Sequence, residues 1–130
     1  MGVTRAMVVY GRDGLDEISA SSPTTVCEVI DGRFTSYTIH PEDYGMALCR
    51  KQDLMGGTPA ENAVIARSVL AGEAGARRNA VLLNAGAGIH IATGEPLANA
   101  IKKAAALIDS GAAAKQLDDF VALTSGLKGV

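Results

Sequence analysis

Three carboxylates gather in the short stretch GRDGLDE (11–17): Asp13, Asp16 and Glu17. Like charges this close repel one another, so either water solvates them all or a cation binds there. Adjacent side chains point apart on a helix or a strand, so Asp16 and Glu17 can converge on one ion only where the backbone is irregular. Mg²⁺ typically takes one or two protein carboxylates and completes its shell with waters and substrate phosphates. The residues alone leave two interpretations open, a solvated acidic turn or a partial magnesium site.

Two glycine-containing stretches imitate nucleotide-binding motifs, but a structural explanation is favoured for each. MGGTP (55–59) precedes a predicted helix and could hold a phosphate on free N–H groups, yet it lacks the P-loop lysine and Thr58 explains it as a helix cap. GAGIH (86–90) lies inside a predicted helix with no strand before it, so it is not interpreted as a cofactor motif. A close helix crossing is the expected reason for Gly86 and Gly88.

The basic side chains in the second half of the chain give weaker evidence for a functional site. His90 is interpreted as a packed or surface histidine, because the sequence places no serine or cysteine nucleophile with it. Arg77 and Arg78 stand at a helix start, where the dipole disfavours cations. They are interpreted as surface charge that could pair with Glu73 or with a phosphate.

The first part of the chain, which must position the acidic residues, is predicted to form strands. AMVVY (6–10) is continuously apolar, which is typical of a strand covered on both faces in a parallel or mixed sheet. The acidic stretch follows its carboxyl end, where ligands collect in open α/β sheets. TTVCEVIDGRFTSYTI (24–39) holds Asp31-Gly32 between two β-rich runs, which predicts a type I′ hairpin. Two cross-strand pairs are expected in this register: Val29 with Phe34, and Val26 with Tyr37.

Helices are predicted after the hairpin. PEDYG (41–45) predicts one helical turn. The first full helix begins at a capping box of Thr58, Pro59 and Glu61 and ends near Gly72. Three more are expected over 77–92, 96–110 and about 113–124, the last closed by Gly126. Apolar faces are predicted on the last two: Leu97, Ile101, Ala104, Ala105 and Ile108 on one, and Leu117, Phe120, Val121 and Thr124 on the other.

Composition narrows the class of protein. With 130 residues, 48% of them hydrophobic, the chain fits one domain (1–130) of α/β class, part of a mixed sheet followed by four packed helices. A formal charge of −2 and 4% aromatic residues argue against a nucleic-acid partner. Cys27 and Cys49 lie outside any CxxC spacing, so reduced thiols in a cytoplasm are expected. The first residues are too weakly apolar for a signal or a membrane span, and the strand that starts almost at Met1 suggests a piece of something longer.

One family combines these motifs in the same order. GRDGLDEIS, HPEDYG and GGTPAENAVIARSVLAGEAGARRNAVLLNAGAGIHIA together resemble the C-terminal portion of the anthranilate phosphoribosyltransferase family, from about Val3 to Thr124. The ordered combination of G-x-D-G-x-D-E-I-S, P-E-D-[FY]-G, G-G-x-x-x-E-N-A and V-L-L-N-A is far more specific than any one motif. The resemblance implies a C-terminal part of the phosphoribosyltransferase and nucleoside phosphorylase-like α/β domain.

The activity that this resemblance implies is transfer of a phosphoribosyl group from phosphoribosyl pyrophosphate to the amine of anthranilate, in tryptophan biosynthesis. Asp16 and Glu17 match the acidic pair of the family that binds Mg²⁺ on the diphosphate, whereas Asp13 matches a position that serves loop geometry. No catalytic residue is assigned to this chain. The family is typically homodimeric, so a homo-oligomer is expected.

Departures from the family pattern limit the expected activity. The glycine-rich phosphate loop, the Lys-His-Gly-Asn segment and the anthranilate-contacting arginine of the family lie upstream of the matched part, and none is present here. Thr58 stands where an aspartate is common in the family, after the two glycines, but threonine is also a good helix N-cap. The chain alone is therefore expected to be inactive. Two alternatives stay open, a pyrimidine nucleoside phosphorylase-like protein and a non-catalytic binding or assembly module.

Overall fold

The structure, a computed structural model, describes residues 2–126. Three strands form one antiparallel sheet in the order β1 (Arg5–Gly11), β2 (Thr24–Ile30) and β3 (Arg33–Ile39). Two 3₁₀ turns and four helices follow: Pro41–Tyr44, Lys51–Leu54, α1 (Pro59–Leu70), α2 (Ala76–Thr93), α3 (Leu97–Asp109) and α4 (Ala112–Gly126). The predicted α/β order, strands before helices, is confirmed. Among the helices of residues 2–126, none combines the length and the apolar character needed to cross a bilayer.

The hairpin forms as the sequence predicts. Val29 pairs with Phe34 and Val26 with Tyr37. Asp31 and Gly32 have φ angles of 47° and 77°, which is the left-handed backbone that a type I′ turn requires at both central positions. The register of β2 and β3 is therefore fixed by the turn.

Strand β1 departs from the prediction on one point. It pairs antiparallel with β2, with Val9 opposite Val26. Val9 is half-buried, but Val8 is 66% and Tyr10 56% exposed. The expectation of cover on both faces is therefore wrong for this chain, because only one face of the sheet packs against helices of the described part.

The core lies between that inner sheet face and helices α2 and α3. Val26 and Ile39 come from the sheet, Leu83 from α2 and Ile101 from α3, and all four are buried. Ile18, in the loop that follows β1, joins the same cluster at 1% exposure. The loop is thus anchored by its own apolar residue.

The predicted start of α1 agrees with the structure, and so does the apolar face of α3, but the face predicted for α4 does not. Thr58 caps α1 by accepting a hydrogen bond from the Glu61 amide, and Glu61 bonds back to the Thr58 amide. The apolar face of α3 is confirmed, since Ala100, Ile101, Ala104 and Ile108 are buried. Helix α4 extends to Gly126, the last residue that the structure describes, and none of its residues is buried, so its predicted packing face is wrong.

The two glycines of α2 behave differently. A Cβ at Gly86 would lie 2.5 Å from Cγ1 and 2.9 Å from Cα of Ile101, so the expected close helix crossing is confirmed there. A Cβ at Gly88 would meet nothing within 4 Å, and the same expectation is wrong for that position.

Candidate functional site

The acidic loop, residues 12–23, leaves β1 through a tight turn at Gly11. The Gly11 amide donates to the Leu15 carbonyl at 2.8 Å, and the Gly14 amide donates back to the Gly11 carbonyl at 2.8 Å. A Cβ at Gly11 would lie 2.8 Å from Oδ1 of Asp13 and 3.1 Å from Cβ of Ser19. Glycine is therefore required where the strand ends, because the loop folds back onto that backbone.

Asp13 holds the inside of this loop together. Its Oδ2 accepts hydrogen bonds from the hydroxyls of Ser19, at 2.8 Å, and Ser21. Burial alone would raise the pKa of Asp13, but hydrogen bonds from Ser21, Ser19 and the loop amides outweigh burial and hold the pKa below its ordinary value of 3.8. Asp13 is thus a structural carboxylate, as the resemblance implies.

Two other parts of the chain fix the loop from outside. Lys51 donates through Nζ to the Asp13 carbonyl at 2.7 Å, and the Cys49 amide donates to the Ala20 carbonyl at 3.1 Å. From α2, Asn84 accepts the Ile18 amide on Oδ1 at 2.9 Å and donates through Nδ2 to the Ile18 carbonyl at 2.8 Å. Asn84 therefore clamps both backbone groups of the residue next to Glu17.

Asp16 and Glu17 lie on the outer turn of this loop. The backbone bends at both positions, as convergence of adjacent side chains requires. Both side chains are exposed, and neither takes part in any of the six ion pairs within residues 2–126. Within those residues no cluster of three or more histidines, cysteines or carboxylates could hold a metal by itself. A cation at Asp16 and Glu17 would therefore need ligands from elsewhere.

Glu17 faces an apolar groove of about 670 Å³ between the loop, α1 and α2. Asn62, Arg77 and Asn84 are the other polar side chains along it, and Leu15, Ile18 and Val69 contribute to its walls. Arg77 donates to the Met55 carbonyl at 2.8 Å, so its position is fixed. A second, larger cleft of about 900 Å³ is lined by neither Asp16 nor Glu17. The smaller groove is the better candidate site, because Glu17 of the acidic pair lies on its wall.

The remaining motif residues have structural roles. Oδ1 of Asn62 accepts the Gly57 amide at 2.8 Å, which uses one of the N–H groups that a phosphate would have needed. Arg78 pairs with Asp109 at 2.7 Å rather than with Glu73. These contacts confirm the structural interpretation of MGGTP and replace the pairing suggested for Arg78.

His90 is packed, as predicted. Its Nε2 lies 2.9 Å from Oε1 of Glu28, and its Nδ1 lies 2.6 Å from the Glu95 carbonyl oxygen. Tyr37 donates to the other oxygen of Glu28 at 3.1 Å. Burial, together with the hydrogen bond to Glu28, raises the pKa of Tyr37. This buried cluster ties α2 to the sheet and lies apart from the groove.

Sequence reasoning missed the residues that hold the loop in place. Asn84 stands 66 positions from Ile18 and Lys51 stands 38 from Asp13, so no local pattern connects the partners. The one available signal for Asn84 was its place in the V-L-L-N-A motif.

Comparison with known proteins identifies the family. The family described as "Glycosyl transferase family, a/b domain" matches residues 1–114. This chain belongs to that family. Two relatives are each 49% identical over 126 residues, the anthranilate phosphoribosyltransferases of Methanobrevibacter smithii and Lachnoclostridium phytofermentans. Each alignment covers 96% of this chain and 38% of the relative, so the chain spans well under half the length of the curated relatives it matches.

Solved structures of anthranilate phosphoribosyltransferases share the fold. The anthranilate phosphoribosyltransferase of Thermus thermophilus matches with a TM-score of 0.82 at 36% identity, covering 91% of this chain and 35% of that one. The Saccharomyces cerevisiae enzyme in complex with PRPP and Mg matches with a TM-score of 0.83 at 26% identity, covering 92% and 35%. The resemblance to anthranilate phosphoribosyltransferases is thereby confirmed.

Proposed function

We propose that this chain forms the acidic-loop side of an anthranilate phosphoribosyltransferase. The enzyme would move phosphoribosyl from phosphoribosyl pyrophosphate to the amine of anthranilate and release pyrophosphate, in tryptophan biosynthesis. The observation that carries the proposal is the 49% identity that extends over 96% of the chain to enzymes of that name. A cytoplasmic location, a homo-oligomeric enzyme and these two substrates belong to the same proposal.

Asp16 and Glu17 are the residues we assign to Mg²⁺. Two carboxylate donors on an irregular backbone fit an ion that takes one or two protein carboxylates and fills its shell with water and phosphate oxygens. Both are exposed and free of ion pairs within the described residues, so no internal cation competes for them. When bound there, Mg²⁺ supplies neutralisation of the charge that develops on a departing diphosphate.

The surrounding side chains prepare the loop for that role. Asn84 fixes the backbone of Ile18, which keeps Glu17 on the wall of the groove. Asp13 and Lys51 fix the preceding turn. Arg77 adds a positive charge to the same groove, where it would attract an anionic substrate group. Little of the loop then needs to be ordered when the diphosphate binds.

Metal binding can be tested by calorimetry with Mg²⁺ and pyrophosphate. The chain should bind Mg²⁺ with pyrophosphate and release or absorb a measurable heat. Asp16→Ala and Glu17→Ala should each lower the affinity by about tenfold or more, because each removes a direct ligand. Asp119→Ala is the matched control, since it removes an equal charge from an exposed position on α4. Identical heats for the chain and Asp16→Ala would contradict the metal assignment.

The activity of the chain alone is tested separately. Incubation with phosphoribosyl pyrophosphate, Mg²⁺ and anthranilate should leave anthranilate fluorescence unchanged, because the upstream segments that the family uses for donor and acceptor are absent from these 130 residues. Clear turnover would contradict the inference that the chain is inactive by itself.

A further inference from the structure

His90 faces a hydrogen-bond acceptor at both of its ring nitrogens. Its Nδ1 lies 2.6 Å from the carbonyl oxygen of Glu95, and its Nε2 lies 2.9 Å from Oε1 of Glu28. A carbonyl oxygen has no proton to donate, so Nδ1 carries the proton of the first contact. The second contact needs a proton as well, and either Nε2 or the carboxyl group of Glu28 carries it.

Tyr37 does not supply that second proton. Its hydroxyl donates to the other oxygen of Glu28 at 3.1 Å. Burial and the hydrogen bond to Glu28 raise the pKa of Tyr37, so the phenol stays protonated through neutral and mildly alkaline pH. The side chains of Glu28 and His90 are only 11% and 13% exposed, so water has little access to replace their contact. The pair therefore shares one proton, whether it is written as two ions or as two neutral groups.

The ionisable groups on the helix side of the pair have other partners. The carboxylate of Glu95 contacts Nζ of Lys103 on α3 at 3.2 Å, so it does not compete with the Glu95 carbonyl for His90. Tyr44 lies near Tyr37, and burial raises its pKa too, so it adds no negative charge. The proton between Glu28 and His90 therefore has no other acceptor on this side.

Two arginines lie on the same sheet face as Glu28. Arg5 lies on β1, and its guanidinium packs against Gly94, just beyond the end of α2. Arg33 lies on β3 beside the hairpin turn and is exposed. Neither belongs to any of the ion pairs within residues 2–126. No arginine of the described chain therefore replaces His90 as the partner of Glu28.

We propose that Glu28 and His90 form a proton-dependent latch, which holds the C-terminal end of α2 on the sheet only while the pair keeps its shared proton. Without that proton, the lone pair of Nε2 faces an ionised carboxylate, and a nearly buried contact between α2 and β2 becomes repulsive. The latch opens toward alkaline pH. It lies apart from the groove and does not depend on the proposed function.

The latch makes stability depend on pH in a defined direction. An unfolded chain holds an ionised glutamate and, above a pH of about 6.5, a mostly neutral histidine, so it binds one proton fewer than the folded pair. Stability therefore falls as pH rises above about 6.5. For one proton, the unfolding equilibrium constant rises by up to about tenfold per pH unit until the folded pair loses its proton. Between about pH 5 and 6 both states bind the same number of protons, and the pair adds no slope.

Nuclear magnetic resonance of the histidine rings tests the latch directly. The chain contains two histidines, and His40 is exposed, so it serves as an internal reference. In a chain labelled with ¹⁵N-histidine, the ring signals of His40 should change first as pH rises. The signals of His90 should change at least about one pH unit higher, because the fold retains the shared proton. If both histidines titrate over the same pH range, the latch is wrong.

Glu28→Gln is the matched substitution. Its amide nitrogen can donate to Nε2 of a neutral His90 and its oxygen can accept from Tyr37, so both contacts persist without a shared proton. Urea denaturation should show that the rise in unfolding equilibrium constant between about pH 6.5 and 8.5 is smaller than in the unmodified chain by about fivefold or more. His40→Gln is the control and should leave the pH dependence unchanged. Equal pH dependence in Glu28→Gln and in the unmodified chain would overturn the proposal.

Hydrogen exchange locates the opening. After correction for intrinsic exchange rates, protection factors of the amides over 90–93, in the last turn of α2, should fall by about tenfold or more between about pH 6 and 8.5. Glu28→Gln should remove most of that fall. Unchanged protection over 90–93 in the unmodified chain would show that the proton does not control this end of α2. The ring titration and this exchange measurement use the unmodified chain, so they decide the proposal even if Glu28→Gln does not fold.

Discussion

Asn84 is the residue on which the candidate site depends without belonging to the acidic pair. It makes three hydrogen bonds, two to the backbone of Ile18 and one to the Ala80 carbonyl at 2.9 Å. Ile18 is buried, so its amide and carbonyl have no access to water as an alternative partner. The clamp therefore determines where the neighbouring Glu17 lies.

Replacing Asn84 separates positioning from stability. Asn84→Ala should lower the affinity for Mg²⁺ with pyrophosphate by about tenfold, as loss of a supporting residue typically does. It should also cost about 1–3 kcal/mol of unfolding free energy, because two buried backbone groups lose their partners. Calorimetry well below the unfolding temperature measures the first effect and chemical denaturation the second.

Asn99→Ala serves as the control for that substitution. Asn99 is exposed near the start of α3, so removing its amide should change neither quantity. If Asn84→Ala unfolds more readily but binds with unchanged affinity, Asn84 supports the fold alone and the positioning role is wrong.

Asp13 shows how a carboxylate in an acidic loop can serve structure alone. Its pKa stays low, against the effect of burial, because hydrogen bonds from Ser21, Ser19 and loop amides favour the charged form, and both serine hydroxyls donate to Oδ2. Its other oxygen is buried and has no hydrogen-bond partner among the described residues. Residue type and spacing do not distinguish Asp13 from Asp16, because the fold of the loop brings Ser19 and Ser21 to Asp13; only the family resemblance separated the two.

Helices α2 and α3 approach each other closely at Gly86. Gly86 faces Ile101 so tightly that even a methyl group would overlap its backbone. Helix α2 carries Asn84 and His90, so this contact sets the position of the loop clamp and of the buried Glu28 cluster. Packing of α2 on α3 thereby reaches the candidate site.

The two glycines of α2 offer a paired experiment. Gly86→Ala should lower the unfolding free energy by about 1–3 kcal/mol, because the added methyl forces the helices apart against a gain in helix propensity of about 1 kcal/mol. Gly88→Ala should raise it by about 0.5–1 kcal/mol, since a Cβ there meets nothing. Urea denaturation of both variants measures the difference. Equal effects at the two positions would mean that helix propensity alone acts.

Local sequence patterns predicted the positions of the strands and helices, but they did not predict which of their faces are buried. The Asp31-Gly32 turn and the Thr58 cap act within a few residues, so the hairpin and the start of α1 could be predicted. Burial was predicted for the strand around Val8 and for the helix face with Phe120, but both side chains are exposed, because burial depends on tertiary packing that a local pattern does not specify. The acidic pair could be singled out from its spacing, but the clamp from Asn84 could not, because it depends on tertiary packing.

The uneven burial of the helices predicts uneven stability. Helix α3 buries Ala100, Ile101, Ala104 and Ile108, whereas α1 buries Val69 alone and α4 buries none. Since local opening requires less free energy where few apolar contacts are lost, amides of α1 and α4 should exchange about 100-fold faster than those of α2 and α3. Native-state hydrogen exchange followed by mass spectrometry measures this order.

Ile101→Ala tests whether that order comes from the shared core. Removing this buried side chain should cost about 2–5 kcal/mol and speed the slowest exchange in α2 and α3 together. Exchange in α4 should stay the same, because none of its residues is buried and its opening should leave the core intact. Equal protection of α3 and α4 in the unmodified chain would show that α4 unfolds only with the core and would contradict this division.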